Sequence, residues 1–522
     1  MSTTSAGRLS IHSASTRLIA LRRTLHPQVR SFSASAAHGK ERLVILGSGW
    51  GGYEVLRSVD KKRWGVHATL FSFARVLIPS LKNAICAVGT LEFRCAVEPV
   101  RRYAQQATTY QAWCDKIDFD QKTLTCVPAT PLPSRFERPQ TISAPPASVE
   151  STEPSLQLST LSQRVLARPR KEFKVHYNKL VVAVGCYSQT FNVPGVKEYA
   201  YFLKDVRDAR AIRLRILECF EEASQPTLSD IDRRNLLNFC IVGAGPTGVE
   251  FAAELHDLIA SDIKRSYGPQ LARLARITLY DVASRMLGGF EKGLAEYAER
   301  KFSRDGINIK LKHHVERVED GILHVKEQGE GSHSLPFGVL VWSTGLAPNP
   351  LVQSITNLRK DGKTGRYDFP FAWKNKGRGQ ETIDGLLTDD HLRTIQSDGT
   401  VNEDVWAIGD AAVIQDGLLP ATAQVASQKA KYVTGVLNRL VRDRPTTDAF
   451  HFRSQGNLAY LGDWKALYDR TTVESGPKGK EAGCVGALTD FFGLSFKMST
   501  RFPFSKTTRV ASLALCLLYT HA

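Results

Sequence analysis

Short unbroken apolar runs alternate with stretches of helical spacing along most of the chain. The run "RLVIL" (42–46) is strand length and breaks into glycines where a helical pattern opens, so residues 42 to 72 read as strand, glycine turn, helix, strand. The segment "DKIDFDQKTLTC" (115–126) instead alternates polar and apolar positions, which predicts a hairpin. "KLVVAVG" (179–185) is a buried strand ending in Gly185, and a helical stretch follows from about 204 to 223. "NFCIVGAGPTGVEFAAEL" (238–255) repeats the strand–turn–helix, with "ITLYD" (277–281) as its next strand. "LPFGVLVWSTG" (335–345) is another buried strand, ending in Thr-Gly at Gly345. "DVWAIGDAA" (404–412) is a final strand and turn before a helical segment at 421 to 441. This alternation predicts an α/β fold with parallel sheets.

Two stretches interrupt it. Residues 127 to 170 are rich in proline and serine without periodicity, which predicts a disordered surface insertion, and 357 to 380 is a polar, glycine-rich second one. The first forty residues carry Arg8, Arg17, Arg22, Arg23, Arg30 and Lys40 with no acid before Glu41, among serines and alanines. That is the composition of a mitochondrial transit peptide. Setting its six cations aside, the net charge of +17 becomes +11, enough to favour anionic lipid, while no basic block or motif points to nucleic acid. No apolar run approaches the roughly eighteen residues that a transmembrane helix needs. The nine cysteines contain no C-x-x-C pair, so neither a zinc ribbon nor a thioredoxin-like site is indicated, and no metal is expected.

Gly47-x-Gly49-x-x-Gly52 follows a strand and precedes a helix, the context that gives this spacing meaning. The first glycine permits the tight turn, the second lets backbone approach a pyrophosphate, and the third lets helix pack on strand. An acid about twenty residues on should hold the ribose, but position 72 is serine. Gly243-x-Gly245-x-x-Gly248 repeats the turn, and its acid is present as Asp281 at the end of the next strand. Asp281 favours a free ribose hydroxyl, hence NADH over NADPH, with Arg285 nearby as a counter-indication. Two dinucleotide sites in one chain suit a relay: a nicotinamide gives a hydride and a second dinucleotide passes the electrons on. "WAIGDAA" supports FAD as that second cofactor, because Gly409-Asp410 at a strand end places a carboxylate near a ribityl or phosphate group. The alternative is a loop acid that caps the next helix.

Together, "LGSGWGG", "VGTLEFR", "KLVVAVG", "VPGV", "VGAGPTGVEFAAEL", "VWSTGLAPNP", "VWAIGDAA", "PATAQVASQKA" and "LAYLGDWKALYD" resemble a known family. The chain is similar to the type II (alternative, rotenone-insensitive) mitochondrial NADH dehydrogenases in a fungal-like form, over about 42–72, 87–126 and 173–483. The resemblance implies a single-chain FAD enzyme that reduces ubiquinone without pumping protons. It assigns FAD to Gly47, Gly49, Gly52 and Asp410, and NADH to Gly243, Gly245 and Gly248. It places Glu250 near the nicotinamide, where a carboxylate can accept from the carboxamide or relay a proton; an N-terminal helix acid favoured by the macrodipole is an equal alternative. It also matches Ala423-Gln424-x-x-x-Gln428 to a quinone-site motif, with the two glutamines on one helix face.

Two segments depart from the family. After Ser72 the chain runs "FARVLIPSLKNAIC" where members carry a segment along the isoalloxazine, and beyond Gly483 the tail replaces their amphipathic helices. Its run "VASLALCLLY" is too short to span a bilayer but suits an interfacial seat. The expected fold class is thus two Rossmann-like dinucleotide-binding domains with a membrane-associating tail. The FAD domain comprises 41–200 and 351–483, around an NADH domain at 201–350. Expected partners are NADH, ubiquinone, anionic inner-membrane lipid and a second copy in a homodimer. Rival readings are a disulfide or sulfide oxidoreductase, which needs a close cysteine pair that the sequence does not display, and an FAD/NADH-binding sensor or apoptosis-inducing-type flavoprotein.

Overall fold

A computed structural model describes residues 40–70, 74–76, 80–93, 97–129, 171–329, 331–356, 385–396, 398–415, 417–445, 448–473 and 480–484. The basic leader to residue 39, Ser72, residues 130–170 of the proline-rich insertion, the second insertion (357–384) and the tail from 485 lie outside the described residues. Val127 and Pro128, expected to open the disordered insertion, instead end the strand Thr123–Pro128, held by the pairing of that strand with its hairpin partner.

Along the chain come β1 (Arg42–Leu46), α1 (Trp50–Ser58), β2 (Gly65–Leu70), α2 (Ser80–Val88), β3 (Thr108–Asp118), β4 (Thr123–Pro128), β5 (Phe173–His176) and β6 (Lys179–Val182). Then follow α3 (Val206–Ala223), β7 (Asn238–Val242), α4 (Pro246–Leu258), β8 (Arg276–Tyr280), α5 (Lys292–Arg304), β9 (Asn308–Lys310) and β10 (Val339–Trp342). The last stretch holds β11 (Leu386–Thr388), β12 (Arg393–Ile395), β13 (Val401–Ala407), β14 (Ala412–Ile414), α6 (Ala423–Leu440), β15 (Asn457–Gly462), β16 (Lys465–Asp469) and β17 (Lys480–Cys484).

Two sheets position the glycine turns. The larger runs β14-β11-β12-β13-β6-β1-β2-β3-β4-β5, so strands from both ends of the sequence share it. Its centre is parallel, with Leu46 opposite Val182 on one side and Thr69 on the other. The smaller, all-parallel sheet places Tyr201–Phe202 at the edge, then β10, β7, β8 and β9. Leu43–Leu46 and Phe239–Val242 are buried throughout because parallel strands at a sheet centre are covered on both faces.

The flanking helices follow their sequences closely. α3 begins at Val206 because Asp205 caps it: the Asp205 carboxylate accepts from Arg207 N and Asp208 N, and Asp208 accepts from Asp205 N in return. Its buried face of Ala209, Ile212, Ile216, Cys219, Phe220 and Ala223 has helical spacing. The expected hairpin forms as β3 and β4, with a bulge between Cys114 and Lys116. It sets Cys114 opposite Cys126, a neighbouring pair of buried thiols that sequence spacing does not reveal. The departure after Ser72 includes α2, whose Ala84–Val88 pack into the same core cluster as α3, α4 and the 459–467 hairpin. Among the described residues, no helix is long and apolar enough to cross a membrane.

Candidate functional site

The first glycine turn is closed by backbone, its own and that of the segment after β6. Gly47 has φ +110°, and a Cβ there would stand 2.3 Å from the Ala183 carbonyl oxygen. A Cβ on Gly52 would stand 2.2 Å from the Gly47 carbonyl oxygen. Gly49 is the N-cap of α1, and nothing lies within 4 Å of its missing Cβ. No side chain caps α1 and no acid occupies its first turn, whereas Asp205, Glu291 and Thr422 cap α3, α5 and α6. The first amides of α1 therefore face open space with the positive end of the helix dipole behind them, a cradle that fits a pyrophosphate.

The second turn repeats this geometry. Gly243 has φ +110° to within a degree (φ +111°), wedged against Ser343 and Thr344, and a Cβ on Gly248 would stand 1.9 Å from the Gly243 carbonyl oxygen. Gly245 is an uncapped, open N-cap of α4, with no acid in the first turn. Gly185 and Gly345 occupy sister positions three residues beyond β6 and β10, with φ of +69° and +72°. Asp281 lies just past β8 and is already engaged: its Oδ2 accepts from Ala244 N at 2.5 Å and its Oδ1 from Ala283 N at 2.7 Å. It thus ties the turn to the strand end, and each oxygen keeps a further lone pair for a ribose hydroxyl. The Arg285 guanidinium donates to the Gly288 carbonyl at 2.7 Å.

The Gly409–Ala411 turn after β13 lies between the start of α1 and α6. The missing Cβ of Gly51 would meet Ile408 Cδ1 at 3.0 Å, and that of Gly409 would meet Ala426 Cβ at 3.6 Å. Asp410 Oδ2 accepts the Cys186 thiol at 3.1 Å, and Lys204 Nζ donates to the same sulfur at 3.1 Å. Burial, with the Asp410 charge adding to it, pushes the Cys186 thiol up to about 12.

Gln424 and Gln428 share a helix face as expected, and both meet the protein's own backbone. Gln424 Oε1 accepts from Gln455 N at 3.0 Å; Gln428 accepts from Arg453 N at 3.0 Å and donates to Arg453 O at 2.9 Å. The amides clamp the 453–455 segment onto α6.

Three functional candidates escape a sequence reading: Cys186, Lys204 and Lys429. Cys186 meets Asp410, and Lys204 meets Cys186, only in space. Lys429 carried a signal, because it interrupts the apolar stripe of Val425, Ala426, Ala430 and Val433 on α6.

On α4, Glu250 is buried, and Glu254 lies one turn further on the same side. Glu254 Oε2 accepts from Thr90 Oγ1 at 3.0 Å, while its buried Oε1 has no partner among the described residues. Burial, with Asp257 adding repulsion, pushes the Glu254 carboxyl up to about 8. Its raised value has a definite sign for stability. The unfolded carboxyl ionises near pH 4.3 while the folded one stays protonated, so stability is fully present below about pH 4 and is lost as pH rises to about 8. The slope is about 1.4 kcal/mol per pH unit. Glu254→Gln, which keeps an acceptor for Thr90, should remove that slope. Unfolding free energies at pH 5.5 and 7 should then show the wild type losing about 2 kcal/mol that the variant retains; equal losses in both would place the titration elsewhere.

The family model described as pyridine nucleotide-disulphide oxidoreductase matches residues 41–368. The chain is 35% identical over 402 residues to the external alternative NAD(P)H-ubiquinone oxidoreductase B2, mitochondrial, of Arabidopsis thaliana, covering 76% of this chain. It spans only 59% of that relative's own length. It is 32% identical over 456 residues to a probable NADH dehydrogenase of Dictyostelium discoideum, covering 87% of this chain and 82% of the relative. The structure of NDH2 from Plasmodium falciparum in complex with NADH superposes with a TM-score of 0.70 at 21% identity, over 92% of this chain and 98% of that one, a likeness of fold.

Proposed function

The chain belongs to the alternative NAD(P)H-ubiquinone oxidoreductases of the pyridine nucleotide-disulphide oxidoreductase family, and from that premise we propose that it carries electrons from NADH through FAD to ubiquinone without pumping protons. The observation that carries this reading is the pair of uncapped glycine turns, each at the end of a central parallel strand, with the Gly409–Asp410 turn beside the first. In this reading 41–200 and 351–483 form the FAD domain, and 201–350 the NADH domain.

Gly47, Gly49 and Gly52 would hold the FAD pyrophosphate at the start of α1, with Gly185 shaping the neighbouring loop. Asp410, oriented by the Cys186 thiol, would accept from a ribityl hydroxyl. The bound FAD supplies a two-electron relay between nicotinamide and quinone. Gly243, Gly245 and Gly248 would hold the NADH pyrophosphate, with Gly345 opposite. Glu250 would orient the carboxamide or move a proton at its carboxylate oxygens; it stands beyond the first turn of α4, where no acid lies, so the expected macrodipole role does not suit it. Gln424 and Gln428 would border the quinone cleft through the segment they clamp.

Asp281 would set nucleotide preference by accepting from the adenosine ribose and repelling a 2′-phosphate. Asp281→Asn should weaken the preference for NADH over NADPH by roughly tenfold, the scale of one charged hydrogen bond. Steady-state constants for both nucleotides read this directly, and unchanged values would remove Asp281 from the ribose site. Replacing Gln424 and Gln428 together by Leu should leave flavin reduction by NADH fast and slow its reoxidation by quinone. Stopped-flow traces with the opposite pattern would exclude a quinone role for these amides.

We place the protein peripherally on the mitochondrial inner membrane. A leader-free excess of eleven positive charges suits anionic lipid, at about 1 kcal/mol for each cation near the surface. The tail beyond residue 484 would add interfacial burial, and self-association would give a homodimer. Oxidation of NADH with a soluble ubiquinone analogue tests the activity. Robust turnover is expected, and its absence in flavin-loaded protein would favour a sensor or apoptosis-inducing-type role.

A further inference from the structure

Lys429 is a buried cation with too few partners. It lies on α6 next to Gln428, with 2% of its surface exposed. An ammonium has three donors, yet its one hydrogen bond among the described residues runs from Nζ to the Ala412 carbonyl at 3.3 Å. No ion pair joins it to a carboxylate among the described residues, although Asp410 is its charged neighbour and favours its charged form. Burial lowers its pKa to about 8 against that pull, so it remains mostly protonated at neutral pH. A charge buried this way is costly unless further acceptors reach it. The turn beside it, wedged between the start of α1 and α6, is the place where the FAD fits. Bound FAD would supply the acceptors that the described residues do not.

We infer that Lys429 is a positioning residue for the bound FAD: its ammonium supplies hydrogen bonds and positive charge beside Asp410, and so favours the reduced, anionic cofactor over the oxidised one. This rests on the FAD reading given above. Reduction by a hydride adds two electrons and one proton to neutral FAD and leaves one net negative charge on its ring system. In a site with little water, a fixed cation nearby stabilises that added charge without reorganising. The proton and both electrons stay with the cofactor, and Lys429 exchanges neither.

The test is a spectroelectrochemical titration of the purified holoprotein, in which the wild type is compared with Lys429→Met and Lys429→Arg. Lys429→Met should retain FAD and shift its reduction equilibrium at least tenfold toward the oxidised form, a fall of about 30 mV for a two-electron couple. Lys429→Arg should restore the wild-type potential. Loss of FAD from the Met variant alone, with its circular dichroism unchanged, would also assign the charge to FAD. A Met variant with FAD bound at the wild-type potential overturns the inference. So does loss of FAD from both variants, which would make Lys429 a packing residue. A wild-type protein without flavin would instead sink the FAD reading itself, a separate outcome.

Discussion

Gly52→Ala should fold and emerge without flavin. Its new Cβ would stand 2.2 Å from the Gly47 carbonyl oxygen and 3.4 Å from Ala183 Cβ, so α1 must move away from β1 or the turn must open. Either shift misaims the first amides of α1, whose open, uncapped geometry is what fits the pyrophosphate. The obstacle is backbone, which cannot swing aside as a side chain would. Overpacking of this kind costs about 3 kcal/mol or more at its upper range, a hundredfold or more in affinity. The ratio of flavin to protein absorbance should fall to a few per cent of wild type or less, while far-ultraviolet circular dichroism is retained. Stoichiometric flavin in the variant would remove the first turn from the FAD site.

Gly248→Ala should have the complementary phenotype. Its Cβ would meet the Gly243 carbonyl oxygen at 1.9 Å and Ser343 Oγ at 2.7 Å, where that hydroxyl donates to Val242 O. Relief requires α4 to lift from β7 and strains the bond from Ala244 N to Asp281. The first turn is untouched, so flavin should remain bound and reducible by dithionite. Reduction by NADH should weaken by a hundredfold or more in apparent affinity. Rapid bleaching of this variant by micromolar NADH would show that the nucleotide binds elsewhere.

Those two turns were legible because their requirements are local. A strand buried on both faces reads as an unbroken apolar run, and the third glycine of each turn is fixed by overlap with a carbonyl five residues back, although the first also meets a distant segment, Ala183 or Ser343–Thr344. Less local features were harder to read. The hairpin strand β3 begins at Thr108, seven residues before the start expected from alternation, because the bulge after Cys114 breaks the period of two. α2 gave no clear pattern, since its helical state is fixed by packing on α3 and α4, far along the chain. The site divides the same way. Spacing points to Asp281 and the family resemblance to the paired glutamines, but neither says that Asp281 also holds Ala244 or that the amides clamp 453–455. Asp410 and Cys186 are 224 positions apart, and Glu254 and Thr90 are 164 apart. Only the fold, through sheet order for the first pair and helix packing for the second, brings them together.

The measurement that bears most directly on the relay is the absorption spectrum of the purified protein under anaerobic conditions. Flavin bands should be present as isolated, bleach on addition of stoichiometric NADH, and return on addition of a soluble ubiquinone analogue. Flavin that is present but not bleached by NADH, or bleached and not restored by the quinone, would contradict electron transfer from NADH through FAD to ubiquinone.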